Sequence, residues 1–93
     1  MTSMRENHLA RYDLNLLLVF EALMAQRNVS AAAVSLGLTQ PTLSHALNRL
    51  RKMCGDPLFV RTGRGMQPTS AAQTMAEPLG QALAQIRATL QHR

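Results

Sequence analysis

The residues of this sequence that are best suited to chemistry are hydroxyls, amides and cations, gathered between positions 39 and 64. A helix beginning near Gln40 would present one side made of Pro41, His45, Asn48 and Lys52, flanked by Thr42, Ser44 and Arg49. That side holds no carboxylate, whereas a solvated helix usually mixes both signs of charge. Between Gln40 and Gln67, five Lys or Arg stand against one acid, Asp56. Because duplex DNA carries a negative charge about every 1.7 Å of its axis, a face that avoids acids suits the major groove.

The same residue types form no catalytic or metal-binding pattern. The five acids are scattered along the chain, and His8, His45 and His92 fall on different predicted elements. Ser44 and His45 are adjacent on a predicted helix, so they point about 100° apart and cannot act as nucleophile and base. The single cysteine, Cys54, excludes an internal disulfide and the usual zinc clusters. The sequence therefore predicts neither an enzyme nor a cofactor.

Length and charge bound the remaining possibilities. The chain has 93 residues, 46% of them hydrophobic, which fits one small globular domain. Its formal net charge is +5, and nine of its ten basic residues are Arg, the side chain that forks onto phosphates and base edges. The longest uninterrupted apolar run, Leu16–Phe20, is far shorter than the roughly 20 residues of a spanning helix. We therefore expect a cytoplasmic protein with no membrane partner.

The elements that must position these residues are mostly helices. Asp13 is the predicted cap of a first helix ending near Arg27, and Ser30 the predicted cap of a short second helix that Gly37 terminates. Thr39 or Gln40 caps a third helix, which holds Pro41 in its first turn and runs to about Met53. A hairpin follows, with strands at 58–62 and 66–68 around Gly63-Arg64-Gly65, and a final helix capped by Ser70 or Thr69 runs toward His92. This order predicts a mainly α fold, a winged helix-turn-helix followed by a long linker helix.

The final helix carries an apolar stripe of its own. Ala72, Ala76, Leu79, Leu83, Ile86 and Leu90 recur at alternating spacings of four and three, as in a coiled-coil seam. Such a stripe can pack on its own domain or on a partner, and its length favours a partner, since a small domain cannot cover so many turns. Pro78 lies inside this helix, where a kink is expected.

Several runs of residues resemble one family. Asp13-Leu14-Asn15-Leu16-Leu17, Leu36-Gly37-Leu38-Thr39-Gln40-Pro41 with Ser44, and Arg49-Leu50-Arg51 are similar to the N-terminal DNA-binding domain of LysR-type transcriptional regulators. Asp56-Pro57-Leu58-Phe59-Val60-Arg61, Gly65-Met66 and Pro68-Thr69 agree. The resemblance covers roughly residues 13–90 and is strongest to the nodulation and aromatic-degradation regulators, through Leu-Thr-Gln-Pro, Arg-Thr-Gly-Arg-Gly-Met-Gln-Pro-Thr and Ala76-Glu77-Pro78.

The resemblance implies a dimer that binds a pseudo-palindromic operator, with the third helix in the major groove and the wing at the minor groove. Gln40 and Pro41 match positions that meet base edges, and Arg64 matches the basic wing tip, where its glycine neighbours let the backbone approach a narrow groove. His45 departs from the Arg often found at its position. The predicted DNA-binding set is Ser30, Thr39, Gln40, Pro41, Thr42, Ser44, His45, Asn48, Arg49, Lys52, Arg61 and Arg64, and the predicted dimerisation set is the stripe of the final helix.

The expected organisation is a flexible arm at 1–12, a winged helix-turn-helix at 13–68 and a linker helix at 69–93. The family's effector-binding domain, which would take a small-molecule inducer, is absent, so we expect an excised domain. Two other functions remain open at this point. A helical protein-interaction module could bind an acidic partner through the same basic face. An RNA-binding protein is disfavoured, because only three aromatics, Tyr12, Phe20 and Phe59, are present as stacking platforms.

Overall fold

A computed structural model describes residues 7–91 of the chain. A 3-10 helix at Asn7–Arg11 precedes three helices, α1 (Leu16–Gln26), α2 (Val29–Leu36) and α3 (Gln40–Cys54). A hairpin of β1 (Phe59–Thr62) and β2 (Gly65–Pro68) follows, and then the long helix α4 (Ser70–Gln91). This order confirms the predicted winged helix-turn-helix with a long final helix. The expected arm includes the 3-10 helix, while its residues 1–6 and the helix end at His92 lie outside the described residues.

The core lies between α1, α2 and α3 and is closed by the hairpin. Phe20 of α1 and Phe59 of β1 are both buried, with ring centroids 5.6 Å apart at an interplanar angle of 53°. Leu43, Leu47 and Leu50 bury the inner face of α3, as the spacing of its apolar residues predicts. The opposite face of that helix is consequently held toward solvent.

Two of the predicted N-caps are wrong. α2 is capped by Asn28, whose side chain accepts from the amide of Ala31 at 2.8 Å, because Ser30 already lies inside the first turn. The Asp13 carboxylate accepts from the amide of Asn15 at 3.1 Å in a turn that precedes α1, which begins only at Leu16. Both of these predicted capping side chains can therefore bond elsewhere.

The remaining helix ends follow the sequence closely. Thr39 caps α3 and Pro41 lies in its first turn. Gly37 ends α2 with a φ of 69°, in the left-handed region that glycine adopts without steric cost. Of the two candidates for α4, Thr69 is the cap, since its hydroxyl accepts from the amide of Ala72 at 3.2 Å. α4 continues through Pro78 to Gln91. No helix within residues 7–91 is long and apolar enough to cross a membrane.

The wing is docked tightly against the turn between α1 and α2. β1 and β2 pair antiparallel from Phe59↔Pro68 to Thr62↔Gly65, which leaves Gly63 and Arg64 at the tip. The amide of Met66 donates to the carbonyl of Arg27 at 2.9 Å. A Cβ on Gly65 would lie 2.6 Å from that carbonyl oxygen, and its φ is 102°. Gly65 therefore serves the packing of the wing, a role that its place beside the wing tip did not reveal.

Candidate nucleic-acid interface

The outer face of α3 is exposed and free of acids, as the sequence predicts. The buried residues of this helix are Leu43, Leu47 and Leu50. Its exposed polar residues are Gln40, Thr42, Ser44, His45, Asn48, Arg49 and Lys52, with Pro41 beside them. We call this set the outer face of α3. Donors and cations are thereby presented to solvent over nearly the whole length of the helix.

The N-terminal end of α3 brings three predicted site residues together with α2. Thr39 accepts from the amide of Thr42 at 3.3 Å, and its hydroxyl donates to the Thr42 hydroxyl at 2.8 Å. The Ser30 hydroxyl donates to Oε1 of Gln40 at 3.0 Å. The end of the helix that reaches deepest in helix-turn-helix docking therefore carries side chains already held by neighbours.

The wing places two cations beside α3. Arg61 and Arg64 are both exposed. The Thr62 hydroxyl accepts from the amide of Arg64 at 3.1 Å and donates to the carbonyl of Gly65 at 3.3 Å, which orders the tip. A cleft of about 240 Å³ between α3 and the wing is lined by Ser44, Asn48, Arg51 and Arg61, among others. These donors and cations line a space suited to an anionic backbone.

Arg49 is engaged within the domain. Its guanidinium Nη2 lies 3.0 Å from Oδ2 of Asp13, and the two side chains are 51% and 34% exposed. Asp13, which does not cap α1, thus ties the turn before α1 to the middle of α3. The charge that Arg49 offers to a ligand is partly offset by this carboxylate, so its first role is to position the helix.

Arg51 positions the wing, and sequence reasoning missed it. Its guanidinium donates to the carbonyls of Pro57 at 2.9 Å and Phe59 at 2.8 Å, and to the side chain of Asn48 at 3.1 Å. Between those carbonyls lies Leu58, buried with a φ of 64°, a conformation that non-glycine residues rarely adopt. Arg51 therefore braces a strained turn that links α3 to β1.

Asp56 stabilises the same turn from the other side. Its carboxylate accepts from the amide of Leu58 at 2.7 Å and from the hydroxyl of Thr69 at 2.8 Å. α3, the wing and the start of α4 are thereby joined at one point. In the sequence, Arg51 and Arg49 look alike as cations of one basic stretch. The only available signal was the Asp56-Pro57 pair directly after Gly55, which marks a turn but does not say what braces it.

Cysteine and histidine take no part in a reactive centre among residues 7–91. Burial, and then the nearby Asp56 carboxylate, raise the pKa of the Cys54 thiol, which keeps it protonated. Cys54 packs against the core, in agreement with its place on the apolar stripe. Within the described part of the chain, no three His, Cys, Asp or Glu side chains are grouped to hold a metal ion.

The apolar stripe of α4 is divided between the core and solvent. Ala72 is buried, and Ala76 and Leu79 pack against the core of the same chain, so these three do not form a free dimer face. Leu83 is also buried, whereas Ile86 is 54% and Leu90 is 69% exposed. This distribution narrows the predicted dimerisation set, because the domain itself covers the first turns of α4. The stripe is uncovered only beyond Leu83.

An ion pair fixes α4 near the point where the stripe becomes exposed. The guanidinium of Arg87 donates through both terminal nitrogens to the Glu21 carboxylate on α1, with Nη1 3.0 Å from Oε2. These hydrogen bonds, together with the positive charge of Arg87, hold the pKa of Glu21 below its ordinary value, against an opposing effect of desolvation. The last turn of α4 therefore extends from an anchored position.

A winged helix-turn-helix that exposes a carboxylate-free α3 defines the DNA-binding domain of a transcriptional regulator. Residues 14–73 match the family described as bacterial regulatory helix-turn-helix protein, lysR family, and the chain belongs to that family. It is 55% identical over 80 residues to the HTH-type transcriptional activator NahR of Pseudomonas putida, covering 86% of this chain and 27% of NahR. It is 46% identical over 78 residues to nodulation protein D 2 of Bradyrhizobium sp. (strain NC92), covering 84% of this chain and 25% of that protein.

Solved structures agree with this assignment. A probable transcriptional regulator from Pseudomonas aeruginosa superposes with a TM-score of 0.86 at 48% identity, over 88% of this chain and 28% of that chain. The CbnR DNA-binding domain in complex with DNA superposes with a TM-score of 0.74 at 26% identity, over 84% of this chain and 90% of that chain. The family and the class of function predicted from the sequence are confirmed. These relatives are regulators, which also confirms that the chain is not an enzyme. The chain spans about a quarter of the length of the curated relatives it matches.

Proposed function

We propose that this domain reads duplex DNA by inserting the outer face of α3 into the major groove while the wing tip lies at the minor groove. The observation that carries the proposal is the exposed helix face without a carboxylate, flanked by the cations Arg61 and Arg64 of the wing. Its support from related proteins is the DNA complex of the CbnR domain, which has the same fold. The proposed contacts are the predicted set from Ser30 to Arg64, with Arg49 contributing chiefly through position.

Base reading is assigned to the N-terminal end of α3. Gln40 is the first residue of the helix, and its amide offers both a donor and an acceptor to base edges. Ser44 lies one turn further along and, with Asn48, lines the cleft toward the wing, where a phosphate fits better than a base. Gln40 therefore supplies sequence preference, and Ser44 supplies register.

We also propose that the working unit is a dimer on a pseudo-palindromic operator. The exposed Ile86 and Leu90 of α4 provide an apolar end that a second copy could cover. Two copies related by a twofold axis would present two α3 helices to successive turns of the duplex. A cytoplasmic, nucleoid-associated location follows from this function, and a small-molecule inducer belongs to the effector-binding domain that the family resemblance implies.

Selection from a random duplex library tests the proposal directly. The 93-residue protein is expected to enrich duplexes with two related half-sites, and its affinity for them should fall steeply as salt is raised, since binding to phosphates releases counterions. Failure to enrich any duplex, with affinity independent of salt, would contradict the function.

The roles of Gln40 and Ser44 are separated by their alanine variants on the selected duplex. Gln40→Ala should reduce discrimination by about 1–3 kcal/mol at one base pair and little elsewhere. Ser44→Ala should weaken all duplexes of a single-substitution panel to nearly the same extent, because phosphates carry no sequence information. An even reduction across the panel for Gln40→Ala would show that Gln40 does not read a base.

A further inference from the structure

The side chains of Ser30 and Gln40 meet across the turn between α2 and α3. Ser30 is in the first turn of α2, and Gln40 is the first residue of α3. Their hydrogen bond, from the Ser30 hydroxyl to Oε1 of Gln40, measures 3.0 Å. Both residues are exposed, so the bond is formed on the surface that would meet a ligand.

Neither side chain is occupied by a capping duty. Asn28 caps α2 and Thr39 caps α3, through bonds to the amides of Ala31 and Thr42 respectively. The backbone donors at both helix starts therefore have other partners. The bond between Ser30 and Gln40 holds no helix end, and its consequence is the orientation of the Gln40 amide.

That orientation has a chemical meaning at a base edge. A glutamine amide has an accepting oxygen on one side of its carbon and an NH2 group with two donors on the other. When Ser30 holds the oxygen toward α2, the NH2 group is presented on the far side. Adenine would need both groups at once, the oxygen for N6 and the NH2 for N7, whereas guanine presents two acceptors, N7 and O6.

We propose that Ser30 is a specificity-determining residue, which by bonding Oε1 of Gln40 presents the amide NH2 to the bases and favours guanine over adenine at the pair that Gln40 reads. Ser30 acts through Gln40 and is a positioning residue, although the sequence placed it among the direct contacts. The inference rests on the proposed function, in which Gln40 lies against the base edges.

Comparison of Ser30→Ala with Ser35→Ala tests the inference. Ser35 also lies on α2 and is exposed, but its hydroxyl donates to the carbonyl of Ala32 at 2.7 Å, so its removal leaves Gln40 untouched. Each variant is measured on the library-selected duplex and on duplexes carrying A in place of G at the pair that Gln40→Ala relaxes. Ser30→Ala should lower the preference for G over A by about two- to tenfold, the range of one hydrogen bond, and leave the salt slope unchanged. Ser35→Ala should leave both quantities unchanged.

Three outcomes would overturn the inference while leaving DNA binding intact. One is selection of A rather than G at the pair that Gln40 reads. Another is an unchanged preference in Ser30→Ala. The third is an equal weakening on every duplex with a smaller salt slope, which would make Ser30 a phosphate contact. Complete lack of duplex binding by the parent protein would instead contradict the proposed function.

The bond itself is measured without DNA. The side-chain amide resonances of Gln40 in the free protein should shift in Ser30→Ala and stay in place in Ser35→Ala. Unchanged Gln40 resonances in Ser30→Ala would show that the hydroxyl does not hold the amide, and the inference would then fail whatever the duplex measurements gave.

Discussion

At the residue scale, side chains of the same type have different tasks in this domain. Arg49 pairs with Asp13, Arg51 braces the turn before β1, and Arg64 stands at the wing tip. Composition treats these cations as one basic stretch. Their neighbours separate them, because a carboxylate or a pair of carbonyls within 3.0 Å engages a guanidinium that would otherwise be offered to a phosphate.

Arg64→Ala is the residue-scale prediction for the wing. Arg64 lies between two glycines at the exposed turn of the hairpin, where its charge can reach a phosphate or a narrow minor groove. We expect weaker binding to many sequences and a salt slope smaller by about one unit for each phosphate that the variant no longer neutralises. Equilibrium titrations across a salt series measure both quantities. A wing that does not reach DNA would leave affinity and slope untouched.

At the element scale, the wing and α3 form one rigid reading surface because three connections fix the hairpin. Arg51 holds the turn that leads into β1, and Asp56 joins this turn to Thr69 at the start of α4. The Arg27 carbonyl receives the amide of Met66 on β2. The order of helices and strands was predicted from periodicity and glycines, but these connections join residues up to dozens of positions apart. No local pattern identifies them.

Gly65→Ala tests the docking of the wing. A Cβ would lie 2.6 Å from the Arg27 carbonyl oxygen, at a φ of 102° that alanine adopts only under strain. We expect the free energy of unfolding to fall by about 1–3 kcal/mol. The matched control is Gly63→Ala in the same turn, where a Cβ meets nothing within 4 Å and the change should stay within about 0.5 kcal/mol. Urea denaturation of both variants measures the difference, and equal values would contradict the close docking.

At the scale of the whole molecule, α4 is both part of the core and an extension beyond it. Its first turns pack on the domain, the Glu21–Arg87 pair anchors it to α1, and its end exposes Ile86 and Leu90. The sequence repeat runs unbroken from Ala72 to Leu90, so it could not show where the core stops covering the stripe. That boundary depends on how far α1 extends along α4.

The joint replacement of Ile86 and Leu90 by Asp tests the dimer. Both positions are exposed in a single copy, so the charges should leave the fold intact and disfavour only a surface that buries them. Light scattering should then show a monomer with an unchanged unfolding transition. Val34→Asp is the control, because Val34 is 79% exposed on α2, away from the stripe, and this variant should remain dimeric. A dimer that survives the double replacement would place the interface elsewhere.

The Glu21–Arg87 pair predicts a pH dependence of the anchoring of α4. The pKa of Glu21 is lowered in the folded chain, so its contribution to stability is present above the unfolded value of about 4.5 and is lost as pH falls through the lowered value. Glu21→Gln should lower the thermal midpoint at neutral pH and make little difference in acid below that range. The exposed position of the pair keeps the effect small. A difference between the two proteins that is the same at neutral and acid pH would contradict this linkage.

Local patterns in the sequence determined the elements, the family and the exposed face of α3. Helix periods, the glycines at the helix ends and the alternation of the hairpin are short-range properties, and so is the absence of acids along one side of a helix. The tertiary structure alone decided which cation braces the wing, which cap each helix uses, that Ser30 bonds Gln40, and where the stripe of α4 emerges from the core. Those outcomes depend on which side chains meet across different elements, and such meetings are set by the packing of the whole chain rather than by spacing along it.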